Sequence, residues 1–152
     1  MKTGLKRLWD QGRLRRHKTS AREIANLLGL ARRDIEDAKL KGLSLDRRFA
    51  CAYNAVLQLA TIVLYCRGYK PKGIGHHATV FEALRIIMGK NYYDLADYFD
   101  ACRAKRNITD YGYAGGISRQ ETEELIKKAK RFLKTILYWL GKNCPVFSKF
   151  FN

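Results

Sequence analysis

Apolar residues recur along most of this chain every three or four positions, which is the spacing of one face of an α-helix. Residues 20–23, Ser-Ala-Arg-Glu, have the pattern of a capping box and precede the first long apolar stripe. We expect Gly42 to end that helix. A second long helix is predicted from Ser44 to about Arg67, and its wide apolar band is typical of the central helix of a bundle.

Helical spacing continues through the second half of the chain. After a Gly-rich loop at 68–77, one helix is predicted over about Ala78–Met88 and the next from about Asn91. The last long helix is predicted from Ser118, again with a capping box. Because no strand pattern persists, we predict an all-α fold, an up-and-down bundle of four or five main helices with short connections.

The length of 152 residues suits one domain. We expect a basic N-terminal arm or short helix at 1–18, where Leu5, Leu8 and Trp9 form a small apolar face. The bundle is predicted at 19–142 and an apolar C-terminal tail at 143–152. No apolar run approaches the roughly 20 residues that span a bilayer, and the N-terminus lacks a signal-peptide pattern. We therefore predict a cytoplasmic protein with no membrane contact.

The charge of the chain is strongly positive and is concentrated towards both ends. The net charge is +16, with 30 Lys and Arg against 14 Asp and Glu. Residues 1–48 carry 14 basic and 6 acidic side chains, and residues 101–152 carry 11 and 4. Such a field attracts polyanions, because Lys and Arg displace the counterions bound to them. We favour contact with nucleic acid or nucleotides; the alternative is a basic surface that only keeps the protein soluble.

The four cysteines give little support for a metal site or a disulfide scaffold. Cys51, Cys66, Cys102 and Cys144 are widely spaced and form no C-x-x-C pair. Cys51 and Cys102 fall on apolar helical faces and are most simply small core residues. We predict no metal and no cofactor.

Arg106 stands where an apolar residue would be expected. Leu95, Phe99, Cys102 and Arg106 are separated by 4, 3 and 4 positions, so Arg106 extends the buried stripe of its helix by one turn. The predicted helix ends at Arg106 and Asn107 and leads into a turn. A guanidinium does not lose its proton, so it needs a carboxylate, carbonyls, a phosphate or a wet cleft.

Two interpretations of Arg106 remain open at this point. It is either a structural arginine paired with Asp110 or Asp34, or a phosphate-binding residue at the lip of a groove, supported by Asn107. In the second interpretation Arg103 and Lys105 are expected to contribute to the same nucleotide or RNA site.

The segment RNITDYGY, residues 106–113, resembles the signature of HEPN domains (higher eukaryotes and prokaryotes nucleotide-binding). In that signature an Arg and a polar residue, usually Asn, precede a His by a few positions. Arg106 and Asn107 match the first two, Tyr111 stands at the His position, and Tyr113 matches the last Tyr of one toxin branch. Further segments follow in the order expected of the SAV-type and UPF-type uncharacterised branch: ARRDIEDAK, AYNAV, GYKPKGIGHHATVFEAL and KRNITDYGY. The resemblance covers about residues 20–140 and implies a helical homodimer.

The resemblance also implies metal-independent cleavage of RNA, by Arg and His residues that face each other across a dimer cleft. Histidine suits that role because its pKa lies near neutrality. Tyr111, the tentative catalytic residue at the His position, would have an ordinary pKa near 10 and is a poorer base at pH 7. Whether the chain is a ribonuclease or only a binding module therefore stays open.

His76 and His77 are tentative replacements for the missing histidine. They lie just before or at the start of the helix predicted at about Ala78–Met88, where free backbone N–H groups favour an anion. A tight turn at 89–91 predicts that this helix start lies beside the end of the following helix. The alternative is that both histidines only cap or pack the helix start.

Tyr113 matches a residue that resembles a target for nucleotide transfer in HEPN toxins paired with a minimal nucleotidyltransferase. The resemblance therefore implies such a partner and a toxin–antitoxin role, with Tyr113 modified. The alternative is that Tyr111 and Tyr113 only pack the turn. We expect a homodimer that binds RNA or nucleotide phosphates in an Arg-lined cleft; the alternative function is a non-catalytic nucleic-acid-binding or scaffold bundle.

Overall fold

The computed structural model of this chain describes residues 2–110 and 116–148. These residues form a helical bundle, which confirms the predicted fold class, together with one short β-ribbon. The described part contains seven α-helices: α1 (Lys2–Asp10), α2 (Ala21–Ala38), α3 (Leu45–Cys66), α4 (His76–Met88), α5 (Tyr93–Asp110), α6 (Arg119–Asn143) and α7 (Pro145–Ser148).

Three helices begin after the serines that the sequence indicates, Ser20, Ser44 and Ser118, and each serine side chain accepts a hydrogen bond from a backbone N–H of its helix. The Ser20 side chain accepts a hydrogen bond from the Glu23 backbone N–H at 3.1 Å. At the start of α6 the capping box is complete, because Ser118 Oγ accepts from the Glu121 N–H at 3.0 Å and Glu121 accepts from the Ser118 N–H at 2.9 Å. Each contact satisfies an N–H group that the first helical turn leaves without a partner.

Two helix ends differ from the prediction. α2 ends at Ala38, four residues before Gly42, and its last carbonyl accepts a hydrogen bond from Arg48 Nε at 2.8 Å. A side-chain donor from α3 thus replaces the expected glycine cap. α5 continues through Asp110 instead of ending at Arg106 and Asn107.

α3 lies at the centre of the bundle and packs against α2, α4, α5 and α6. It has the length and apolar composition of a membrane-crossing helix, with a mean hydropathy of 1.6 over 18 residues. This finding corrects the expectation that no apolar run approaches the length that spans a bilayer. More than half of that stretch is buried by the other helices, including Tyr53, Val56 and Leu59. The central helix of a bundle has the same composition, so these properties are weak evidence for a membrane span.

A two-stranded antiparallel ribbon joins the N-terminal segment to the loop before α4, and the sequence pattern did not predict it. β1 (Leu14–Arg16) pairs with β2 (Tyr69–Pro71) in the register Leu14↔Pro71, Arg15↔Lys70 and Arg16↔Tyr69. Strands of three residues are too short to produce a visible alternation.

The segment before α2 packs onto the bundle through both apolar and charged contacts. Leu5, Leu8 and Leu14 are buried in the common core. Arg7 and Arg13 hold the Glu82 carboxylate of α4 at 3.0 and 2.7 Å.

The division of the chain into three parts stays a prediction.

Candidate phosphate-binding site

α4 and α5 are neighbours joined by a short turn, and this turn brings the first residues of α4 beside the last turns of α5. Gly89 ends α4 with φ of +87°, a conformation that favours glycine, and a 3₁₀ turn at Lys90–Tyr92 leads into α5. His76 and His77 are the first two residues of α4, while Arg103 and Arg106 lie near the end of α5.

Tyr53 on the central helix α3 links the two helices. Its hydroxyl lies 3.0 Å from Nδ1 of His77. The guanidinium carbon of Arg106 lies 5.4 Å from the centroid of the same tyrosine ring, within the range of a cation–π contact. One buried phenol therefore holds an imidazole and a guanidinium next to each other.

Tyr53 remains protonated in this environment. Its side chain is completely buried, and this burial raises the pKa of the Tyr53 hydroxyl, although Arg106 and Arg103 act in the opposite direction. The residue is therefore a hydrogen-bonding support, not a base. Helical periodicity assigned Tyr53 to the core band of α3 and missed its second role. The signal was present, because a buried tyrosine hydroxyl usually has a hydrogen-bond partner.

His77 is half-buried and favours its neutral form. Burial lowers the pKa of His77, and the charges of Arg106, Arg103 and His76 lower it further. Nδ1 of His77 is the ring nitrogen that contacts Tyr53, and Nε2 is the one that does not. His76 is exposed beside it. The structure thus brings His77 together with Arg106, whereas sequence reasoning could only place the two helix ends side by side.

The remaining basic candidates on α5 face different neighbours. Arg103 Nε donates to Asp100 at 2.8 Å, and this hydrogen bond raises the pKa of Arg103. Lys105 forms an ion pair with Glu121 of α6, so the structure places it at the α5–α6 contact and not with His77. Asn107 is exposed one position after Arg106.

Asp34, one of the predicted structural carboxylates, lies at the contact between α2 and α3. Its Oδ1 accepts from Arg33 at 3.1 Å and its Oδ2 accepts from Gln58 at 2.8 Å. Asp110 belongs to α5, but its side chain, like Tyr111 and Tyr113, lies outside the described residues. The predicted roles of these three residues stay predictions.

The start of α4 also offers backbone donors. Its N-cap is Gly75, with φ of +78°, and no side chain caps the first turn. Free N–H groups at a helix start favour an anion. The groove of about 300 Å³ between α4 and α5 suits an anion less well, because the carboxylates of Glu82, Asp97 and Asp100 outnumber the one cation, Arg85, in its lining. Across residues 2–110 and 116–148, no group of three His, Cys, Asp or Glu could hold a metal ion.

Three comparisons with known proteins bear on the family of this chain. Neither the curated proteins nor the solved structures include a significant match to this chain. The family model described as SAV_6107-like HEPN matches residues 43–137, which is more than half of the chain and extends from the start of α3 into α6. The match confirms the family suggested by the Arg106 segment: the chain belongs to the SAV_6107-like HEPN family.

Proposed function

We propose that this protein binds the phosphates of RNA at a cluster formed by Arg103, Arg106, His77 and the first turn of α4, here called the phosphate cluster. The observation that carries the proposal is the sharing of Tyr53 by Arg106 and His77 at 5.4 and 3.0 Å. A guanidinium and an imidazole fixed side by side at a partly exposed helix end suit a phosphodiester.

Electrostatics support this proposal over that of a neutral scaffold. The net charge of +16 attracts a polyanion over long range, and the free N–H groups of α4 add a local positive end. Within the cluster Asp100 offsets part of the charge of Arg103. Arg106 shares Tyr53 with His77, so we expect RNA affinity to depend most on this cation.

We propose further that the protein acts as a homodimer, as the HEPN resemblance implies, with the two phosphate clusters facing a shared cleft. Pairing with a minimal nucleotidyltransferase in a toxin–antitoxin system, with Tyr113 as the modified residue, is a proposal that rests on the resemblance alone.

A second candidate function is cleavage of RNA without a metal, and the lowered pKa of His77 favours it. A neutral His77 would take the proton of the ribose 2′-hydroxyl through Nε2 as the 2′-oxygen bonds to phosphorus. The bond from phosphorus to the 5′-oxygen would break, and the leaving oxygen would take a proton from water or the second subunit's imidazolium. Arg106 would stabilise the extra negative charge on the phosphoryl oxygens.

RNA binding tests the first proposal. Fluorescence anisotropy with labelled RNA is expected to show about tenfold weaker binding for Arg106→Gln, since one phosphate contact to a guanidinium is lost. The matched control is Arg131→Gln, which removes an exposed arginine of α6. Equal affinities for the two variants would contradict the phosphate cluster.

RNA cleavage in the presence of a chelator tests the second candidate. Wild type is expected to yield 2′,3′-cyclic phosphate ends, and His77→Gln to lose at least about a hundredfold in rate. An intact RNA with wild-type protein, or equal rates for wild type and His77→Gln, would exclude His77 as the base.

A further inference from the structure

The β-ribbon opposes like charges across its two strands. Arg15 of β1 lies directly opposite Lys70 of β2. A directly opposed pair of like charges destabilises a sheet, so an anion bound at Arg15 and Lys70 would stabilise the ribbon. Lys18 and Lys72 follow the two strands, and residues 11–19 and 67–77 contain no Asp or Glu.

Few carboxylates of the bundle reach the ribbon. Glu82 is held by Arg7 and Arg13. Glu23 accepts from His17 at 2.6 Å and from Thr19 at 2.7 Å, and it also lies close enough to Lys70 for that charge to act on it.

Four cations in and beside the ribbon are exposed. In the described parts of the chain, no ion pair engages Arg15, Arg16, Lys18 or Lys72. Successive side chains of a strand point to opposite faces, so Arg15 and Lys70 lie on one face of the ribbon and Arg16 and Tyr69 on the other.

Aromatic rings lie beside Arg16, on the face of the ribbon opposite to Arg15 and Lys70. The guanidinium carbon of Arg16 is 5.5 Å from the centroid of Trp9 and 5.9 Å from that of Tyr69. Trp9 is 43% exposed, which is unusual for the largest apolar side chain and leaves room for a flat ligand on the indole. Cations that track a backbone next to an exposed ring are the features with which proteins bind single-stranded nucleic acid.

We propose that this ribbon binds single-stranded RNA, with Arg15 and Lys70 on one face, Trp9 and Arg16 on the other, and Lys18 and Lys72 beyond the strand ends. The RNA backbone passes around the edge of the two-stranded ribbon, and Trp9 stacks on one base. The inference rests on the proposed function and specifies its substrate class. A duplex would not serve, because its bases are already stacked and cannot reach the indole.

Hydrogen bonds and a short connection link the ribbon to the start of α4, which is part of the phosphate cluster. The Lys72 N–H donates to the Arg13 carbonyl at 2.8 Å, and Arg13 Nε donates to Thr79 of α4 at 3.1 Å. Only three residues separate Lys72 from His76, the first residue of α4. A single strand bound along the ribbon therefore continues towards His77 and Arg106.

Anisotropy with a labelled oligouridine of about 12 nucleotides tests the inference on the full chain. The double variant Arg15→Ala/Lys70→Ala is expected to bind about tenfold more weakly, with a salt slope smaller by about 1.4, since two phosphate contacts are lost. Trp9→Leu is expected to bind at least about fivefold more weakly with an unchanged salt slope. The control Lys127→Ala/Lys130→Ala removes two exposed charges of α6 and should keep nearly wild-type affinity.

Tryptophan fluorescence supplies a second measurement. Trp9 and Trp139 are the two tryptophans of the chain, and Trp139 is only 8% exposed. In a Trp139→Phe variant, oligouridine is expected to quench the emission of Trp9, because a base stacks on it. An unchanged emission at saturating oligouridine would overturn the stacking of Trp9.

The remaining outcomes separate this inference from the proposed function. If Arg106→Gln weakens binding and the ribbon variants do not, the ribbon inference fails alone. If only the ribbon variants weaken it, the phosphate cluster fails and the ribbon stands. Equal losses for the α6 control, or binding to phosphatidylserine vesicles that depends on Trp9 more strongly than RNA binding does, would overturn the ribbon as an RNA surface.

Discussion

The fold uses two of its arginines, Arg48 and Arg106, in different ways. Arg48, near the start of α3, is 3% exposed, and its guanidinium donates to the Ala38 carbonyl and to Glu123, each at 2.8 Å. Arg106, near the end of α5, is only partly buried and lies over the Tyr53 ring beside His77.

The difference lies in what each charge acts on. The Arg48 guanidinium caps α2 and joins α3 to α6, so it connects three elements of one subunit. The charge of Arg106 acts on a side chain that can titrate, because it helps to lower the pKa of His77. We infer that Arg48 is a structural brace, whereas Arg106 belongs to the functional site.

The largest effect on stability is expected from Arg48→Met. The free energy of unfolding should fall by about 3 kcal/mol, at the lower end for a broken buried ion pair, because Glu123 is half-exposed and regains water. Urea denaturation measures this loss, and RNA affinity of the folded variant should stay unchanged. Arg47→Met, at the exposed neighbouring position, is the control. A loss below about 1 kcal/mol would show that Arg48 is not a brace.

The sequence singled out Arg106 but not Arg48. Arg106 continues a visible apolar stripe, so local periodicity reveals it. Arg48 follows Arg47 in the first turn of α3, where a charged residue is ordinary, and its burial arises only when the end of α2 and the start of α6 pack against it. Helices and their N-terminal caps follow from short-range patterns, which is why the fold class could be predicted.

The candidate site could be predicted only in part, because its contacts are long-range. The turn at 89–91 was enough to predict that the start of α4 lies beside the end of α5. The contact of Tyr53 with His77 spans 24 positions and depends on how α3 rotates against α4. The ribbon joins strands 55 positions apart through three residues each, so no local pattern indicated it.

The second largest effect is expected for Arg106, whose replacement should weaken RNA binding more than it lowers stability. Arg106→Gln, the variant that should lose about tenfold in RNA affinity, is expected to lose less unfolding free energy than Arg48→Met, with about 1 kcal/mol from the cation–π contact with Tyr53. Urea denaturation of Arg106→Gln beside Arg48→Met measures the contrast. If Arg106→Gln destabilised the protein as strongly as Arg48→Met, the distinction between brace and site would fail.

A third prediction uses the lowered pKa of His77. In the unfolded chain His77 takes up a proton near pH 6.5, whereas in the folded protein it stays neutral to lower pH. The unfolded state then binds more protons, so stability should fall between about pH 7 and about pH 5.5, by less than about 1 kcal/mol. His77→Gln should lose that part of the pH dependence, and Arg106→Gln should raise the pKa of His77 in an NMR titration.

This pH dependence also sharpens the comparison. Arg48 and its two partners include no histidine, so Arg48→Met is expected to keep the difference in stability between the two pH values. Equal pH dependence in wild type and His77→Gln, with the same His77 pKa in Arg106→Gln, would show that the charge of Arg106 does not reach the imidazole.

The smallest effect is expected from Glu123→Gln, which separates the two contacts of Arg48. Glu123 is half-exposed, so water weakens its ion pair with Arg48. The hydrogen bond from Arg48 to the Ala38 carbonyl remains in this variant. The glutamine keeps an acceptor oxygen, so urea denaturation should show a loss of about 0.5 kcal/mol. Glu36→Gln, in the exposed pair with Lys39, serves as the control. A loss as large as that of Arg48→Met would mean that the brace acts through α6, and that the cap on α2 contributes little.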